Sequence, residues 1–299
     1  MTMPISVKTR SIIEIAIALA LIFSCCYSFE NSEVVSPDGT LYHGLAHNLV
    51  DGDGYHDNIR NDFILPPVGH PLIILLANSL GLNDAGSFAR LLLFLGLLFA
   101  FFSTIELKLP PFLRLLVIPL IFALIPTIYD WGVEATIFFT INLLLFAALR
   151  FINRYTLRAG LFLGFVIALN LLVRPVHGPF IYLIVLIAAL AYFRHKKKVF
   201  LLLASLFVGL AIVNGTKLIS KISFGDNRLS SGTYSEIPLY CANNKYINLE
   251  QVYYSARWQV LPEDEYEEAI APLMRTTTWQ NRAKVLREKV ISFYKNHPG

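Results

Sequence analysis

The sequence predicts an all-α integral membrane protein, a polytopic helical bundle of about seven spans with an outer helical first loop and a small extracytoplasmic tail. Three observations predict it. Of 299 residues, 55% are hydrophobic and 15% charged, whereas soluble domains carry about 25% charged residues. Apolar runs recur at roughly the 20-residue length that crosses the hydrocarbon core. Basic residues fall behind alternate runs, as the positive-inside rule requires.

The spans are placed at about 11–29, 86–106, 112–129, 133–151, 157–174, 176–193 and 199–219. The first follows Lys8 and Arg10, as a signal peptide would, but it is longer than a usual h-region. No small-x-small cleavage site follows Cys25, Cys26 and Tyr27, so it is read as an uncleaved helix. A cytoplasmic N-terminus puts Lys108, Arg114, Arg150, Arg154, Arg158, Arg194 and Lys196 to Lys198 inside. Pro119 and Pro126 are expected to kink the third span. Three cysteines form neither a disulfide framework nor a zinc pattern. Cys26 and Cys241 share the outer side, where they either pair or remain free thiols, the simpler expectation.

The outer loop, 30–65, holds seven acidic residues (Glu30, Glu33, Asp38, Asp51, Asp53, Asp57 and Asp62) against one basic residue, Arg60. Leu41, Leu45, Asn48 and Leu49 follow Pro37-Asp38-Gly39 at helical spacing, and Gly52-Asp53-Gly54 ends that helix. A second apolar helix, 71–80, is too short to span and belongs at the outer interface. Residues 1–219 therefore form the membrane domain and 220–299 an extracytoplasmic segment. That segment opens as loop or strand through Asn248 and continues in helices around Glu263 to Glu268 and from Thr278 to Asn296. Trp279, Ala283, Leu286, Val290 and Phe293 form an apolar stripe on the last one. The chain ends just behind this basic amphipathic helix, and further spans are expected beyond it.

Three constellations can carry chemistry. Asp38 stands one turn before Tyr42 and reads either as a helix N-cap or as a general base for an acceptor hydroxyl. Arg60, Arg90, Arg174, Lys217 and Lys221 sit on the side that the positive-inside rule depletes. Arg174, with Pro175 and His177 behind it, suits a phosphate through its planar fork, or else pairs with loop carboxylates or headgroups. Asp130 and Glu134 bracket the outer turn around Trp131, either capping the fourth span or binding substrate. His43, His47, His56 and His70 lie near the loop without a recognised metal spacing. No cofactor is expected, although loop carboxylates are the ligand type for a divalent cation. Phosphate-binding glycine loops, dinucleotide fingerprints, Ser-His-Asp patterns and HExxH motifs are missing, and no nucleic-acid partner is expected.

In order, Asp38-x-x-x-Tyr42, Ala46-x-Asn48-Leu49, Gly52-x-Gly54-Tyr55, Pro67-x-Gly69-x-Pro71-Leu72, Ala89-Arg90-Leu91, Glu134 and Leu172-Val173-Arg174-Pro175 run through residues 10–220. This order resembles polyprenyl-phosphate-sugar-dependent glycosyltransferases of the GT-C fold, related to protein mannosyltransferases and aminoarabinose transferases. The resemblance implies an inverting enzyme of the bacterial inner membrane with an extracytoplasmic active site. Its donor would be a polyprenyl-phosphate sugar, and its acceptor a lipid, glycan or protein hydroxyl. Carried over by position, Asp38 becomes the base, Glu134 orients substrate, and Arg90 or Arg174 holds the departing phosphate. Tyr42, Arg60, His70, Asp130 and His177 complete the implied substrate-binding set. Asp38 is followed by Gly39 where the family pattern has a second acid. Two other readings compete: a transporter or flippase of lipid-linked glycans, and a structural subunit of an envelope-assembly complex. A flippase calls for charges along mid-span, and here the ionisable groups gather toward one face.

Overall fold

The computed structural model describes residues 7–28, 37–56, 66–123, 133–191, 194–225, 229 and 279–296. Every described element is helical: α1 Val7–Tyr27, α2 Pro37–Asp51, α3 Gly69–Ser79, α4 Ala85–Glu106, α5 Pro111–Ala123, α6 Val133–Arg154, α7 Leu157–Val173, α8 Gly178–Ala191, α9 Lys196–Phe224 and α10 Trp279–Asn296. A short 3-10 turn, Pro175–His177, joins α7 to α8. The chain divides into two units, Met1–Gly52 with Val68–Thr216, and Asp53–Pro67 with Lys217–Gly299.

In the first unit the largest interface is α4 against α6, and α6 against α7 is next. Gly96 explains the first: a Cβ there would come within 2.3 Å of the Phe138 ring, so glycine lets that ring lie on α4. α7 meets α9 in a similar way. A Cβ on Gly164 would reach 2.5 Å from the Ser205 carbonyl oxygen, and one on Gly209 would stand 3.0 Å from the Gly164 carbonyl oxygen. Small residues at this spacing let helices approach closely where lipid removes the hydrophobic incentive to pack. Side-chain caps fix two starts. Asp84 accepts from Ser87 N–H at 2.7 Å ahead of α4, and Thr156 accepts from Ala159 N–H at 3.3 Å ahead of α7.

Apolar side chains also cover the outside. Phe23, Phe165, Phe180 and Phe207 are each more than half exposed, which is costly in water and ordinary against hydrocarbon. α4, α6 and α9 are long and apolar enough to cross a membrane. Shorter apolar helices occupy the other expected positions at Ser11–Tyr27, Pro111–Ala123, Leu157–Val173 and Gly178–Ile187. Pro119 lies inside α5, where its missing N–H leaves a carbonyl one turn back without its helical donor. Pro126 lies outside the described residues, and Cys25 and Cys26 carry free thiols.

Polar contacts mark one end of the first unit. Arg114 at the start of α5 binds Glu14 of α1 at 3.1 Å. Asn153 donates to the Glu106 carboxylate at 2.8 Å, and Arg154 approaches that same carboxylate at 4.0 Å. Lys198 stands 4.1 Å from the centroid of the Tyr155 ring. Arg114, Arg154 and Lys198, three of the basic residues that the sequence assigns to one side, take part in these contacts.

The second unit places Tyr55 fully buried, its hydroxyl donating to the Pro66 carbonyl at 2.6 Å. The Leu229 N–H donates to Ser220 Oγ at 3.1 Å. α10 begins within a residue of its expected start, with Val290 buried and Lys284, Glu288 and Lys295 exposed. The expected helix around Glu263 to Glu268, the segment through Asn248, and Cys241 lie outside the described residues.

Candidate functional site

Opposite the basic end, α2, α3, α6 and α7 meet around a buried polar node. α2 starts at Pro37, a residue suited to the first helical position because its missing N–H has no intrahelical acceptor there. Asp38 is therefore inside the first turn rather than the residue that caps it, and its side chain lies outside the described residues. Tyr42 follows one turn later. α2 ends at Asp51, where Gly52 at φ 82° and Gly54 at φ 88° take the left-handed conformation that glycine favours.

Tyr42 meets His70 edge-on, with ring centroids 4.5 Å apart and planes at 89°. His70 Nδ1 lies 2.7 Å from Thr136 Oγ1, one donating and the other accepting according to the imidazole tautomer. Phe88 closes the other side of the ring at 5.9 Å. His70 is 1% exposed and Thr136 fully buried. In this structure the imidazole is thus closed off from solvent and packs against Tyr42 of α2. Gly69 makes the placement feasible. A Cβ there would stand 2.5 Å from the Leu172 backbone carbon, so only glycine lets α3 lie on the end of α7.

The node continues along α6 and α7. Asn170, fully buried, donates through Nδ2 to the Thr140 carbonyl at 2.9 Å and the Val166 carbonyl at 3.1 Å. Its Oδ1 has no hydrogen-bond partner among the described residues. The Asn170 carbonyl accepts the Arg174 N–H at 2.8 Å and closes α7. Pro175 disfavours helix at the residue before it, so Arg174 is extended at φ −147° and ψ 92°. Its side chain is exposed, and His177 shares the same turn.

Arg90 near the start of α4 and Glu134 in the first turn of α6 are likewise exposed. Among the described residues, Arg90, Glu134 and Arg174 form no ion pair or hydrogen bond with one another. Hydrogen bonds from Ser87, side chain first and backbone next, hold the Asp84 carboxyl below the usual carboxylate range, with a small contribution from the Arg90 charge. On α2, burial and then the neighbouring His47 push His43 below the ordinary histidine value; the two rings lie 4.5 Å apart. No group of three or more metal-ligating side chains occurs among the described residues.

Of the expected site residues, the structure brings Tyr42 and His70 together and places Arg90, Glu134, Arg174 and His177 on helix ends or turns of the same unit. Arg60, Asp130 and Trp131 lie outside the described residues. Sequence reasoning missed Thr136 and Asn170. The available signal was polarity inside apolar helices: Thr136 and Thr140 one turn apart in α6, and a single amide in α7. No family model, curated protein or solved structure matches this chain.

Proposed function

We propose that this chain is an inverting membrane glycosyltransferase that moves a sugar from a polyprenyl-phosphate carrier to an extracytoplasmic acceptor hydroxyl. In this reading α1, α4, α5, α6, α7, α8 and α9 are seven spans of a bacterial inner-membrane protein with a cytoplasmic N-terminus. One observation carries the reading. The charged residues assigned to the donor, Arg90, Glu134 and Arg174, are exposed at the ends of helices that also hold the His70 node, and that node seats the Asp38 helix.

In the reaction Asp38 takes the proton of the acceptor hydroxyl. The acceptor oxygen bonds the anomeric carbon from the face opposite the phosphate. The carbon–oxygen bond to the phosphate breaks, and its electron pair leaves with the lipid phosphate. Arg90 or Arg174 stabilises that growing negative charge through charge-assisted hydrogen bonds. Glu134 accepts from sugar hydroxyls, and Tyr42 lines the path between base and donor.

The test uses full-length protein in liposomes with radiolabelled lipid-phosphate sugar and a panel of acceptors. Asp38→Asn should lower kcat by roughly 10²- to 10⁴-fold, the usual range for a general base, with donor affinity retained. Unchanged turnover in Asp38→Asn removes the base assignment. Movement of the labelled lipid across the bilayer without sugar transfer by wild type favours the flippase reading.

A further inference from the structure

A groove of about 320 Å³ opens between α6, α7, α8 and α9, well away from the His70 node. Leu145, Ile152, Leu163, Ile181 and Leu202 contribute to a wall that is apolar along nearly all its length. The exception is its basic end, where Tyr155 and Lys198 join the lining. Lys198 rests on the Tyr155 ring, and Arg194, Lys196 and Lys197 stand exposed beside it in the chain. The volume is near the lower limit for small-molecule sites, which run from about 300 to 1,000 Å³. It admits part of one hydrocarbon chain.

We infer that this groove holds one acyl chain of an anionic glycerophospholipid, with the phosphate at Lys198 and its basic neighbours. Charge complementarity selects this occupant. Lys198 lines one end of a slot that is otherwise hydrocarbon, and Arg194, Lys196 and Lys197 precede it in the chain. Basic pockets between membrane helices on the cytoplasmic side recognise anionic headgroups in this way. A zwitterionic lipid would bring its own cation against the cluster and lose the advantage. The site stands at the opposite end from the proposed reaction, and it holds or fails independently of the transferase reading.

The experiment places the full chain in phosphatidylcholine nanodiscs with trace phosphatidylglycerol that carries a photoreactive acyl chain. Cross-linked peptides are then mapped by mass spectrometry. Labelling should concentrate on 141–152 and 181–185, exceeding that on the exposed faces of α1 and α5. Lys198→Glu should lower it by roughly tenfold, as expected when a cation beside a lipid phosphate is reversed, and Lys198→Arg should restore it. Leu145→Trp, a substitution at an exposed position that narrows the slot, should reduce labelling with the charges intact. A photoreactive phosphatidylcholine that labels these peptides equally overturns the proposal, and so does labelling that survives both Lys198→Glu and Leu145→Trp.

Discussion

The two ends of the first unit treat their charges differently. At the basic end two carboxylates are paired across helices: Glu14 with Arg114, and Glu106 with Asn153 and Arg154. These contacts join α1 to α5 and α4 to α6, so they act as staples. At the other end the polar groups His70, Thr136, Thr140 and Asn170 are buried, whereas Arg90, Glu134 and Arg174 are exposed. The difference teaches where recognition and architecture part. Charges paired across helices stabilise a fold, whereas the proposed reaction draws on charges that are exposed and make no ion pair with one another.

Breaking a staple should cost most. Among the described residues, Glu14→Ala leaves Arg114 with only the Leu109 carbonyl, and about 1.5–3 kcal/mol of stability should be lost, as for a hydrogen bond to a charged group. Thermal unfolding in detergent measures it, and a loss under half that size would reduce the basic end to a solvated surface. Gly69→Ala comes next. Its Cβ meets backbone of α7, so an overpacking penalty of about 1–3 kcal/mol is expected, with the His70–Thr136 contact disturbed and turnover reduced. An unchanged melting curve would mean that α3 slides freely on α7. The smallest effect belongs to Glu134→Gln, which should stay within about 0.5 kcal/mol of wild type and lose sugar transfer instead. A large stability loss there would make Glu134 another staple.

Much of this fold was legible because membranes restrict the options. Hydropathy runs located α1 and α4 to α9, and glycine and proline located the limits of α2. The Asn170 amide and the Thr136 hydroxyl were harder to assign, since their role depends on which helices become neighbours. The pairing of α3 with α7 rests on Gly69, which in sequence is one glycine between Pro67 and Pro71 and gives no sign of the helix it will meet. Arg174 was legible as a misplaced cation; that Asn170 ends its helix and Pro175 extends it emerged from three-dimensional contacts. His70 was legible as a histidine near an acidic loop, but its burial was not, because burial is invisible at a single position.

The division of labour between the two ends is tested most directly by equilibrium binding of polyprenyl phosphate to wild type, Arg174→Gln and Arg154→Gln. The account predicts that Arg174→Gln binds roughly ten- to hundredfold more weakly, the loss of a charge-assisted hydrogen bond, and that Arg154→Gln binds like wild type. Equal affinity across all three proteins, or an equal loss in Arg154→Gln, would contradict it.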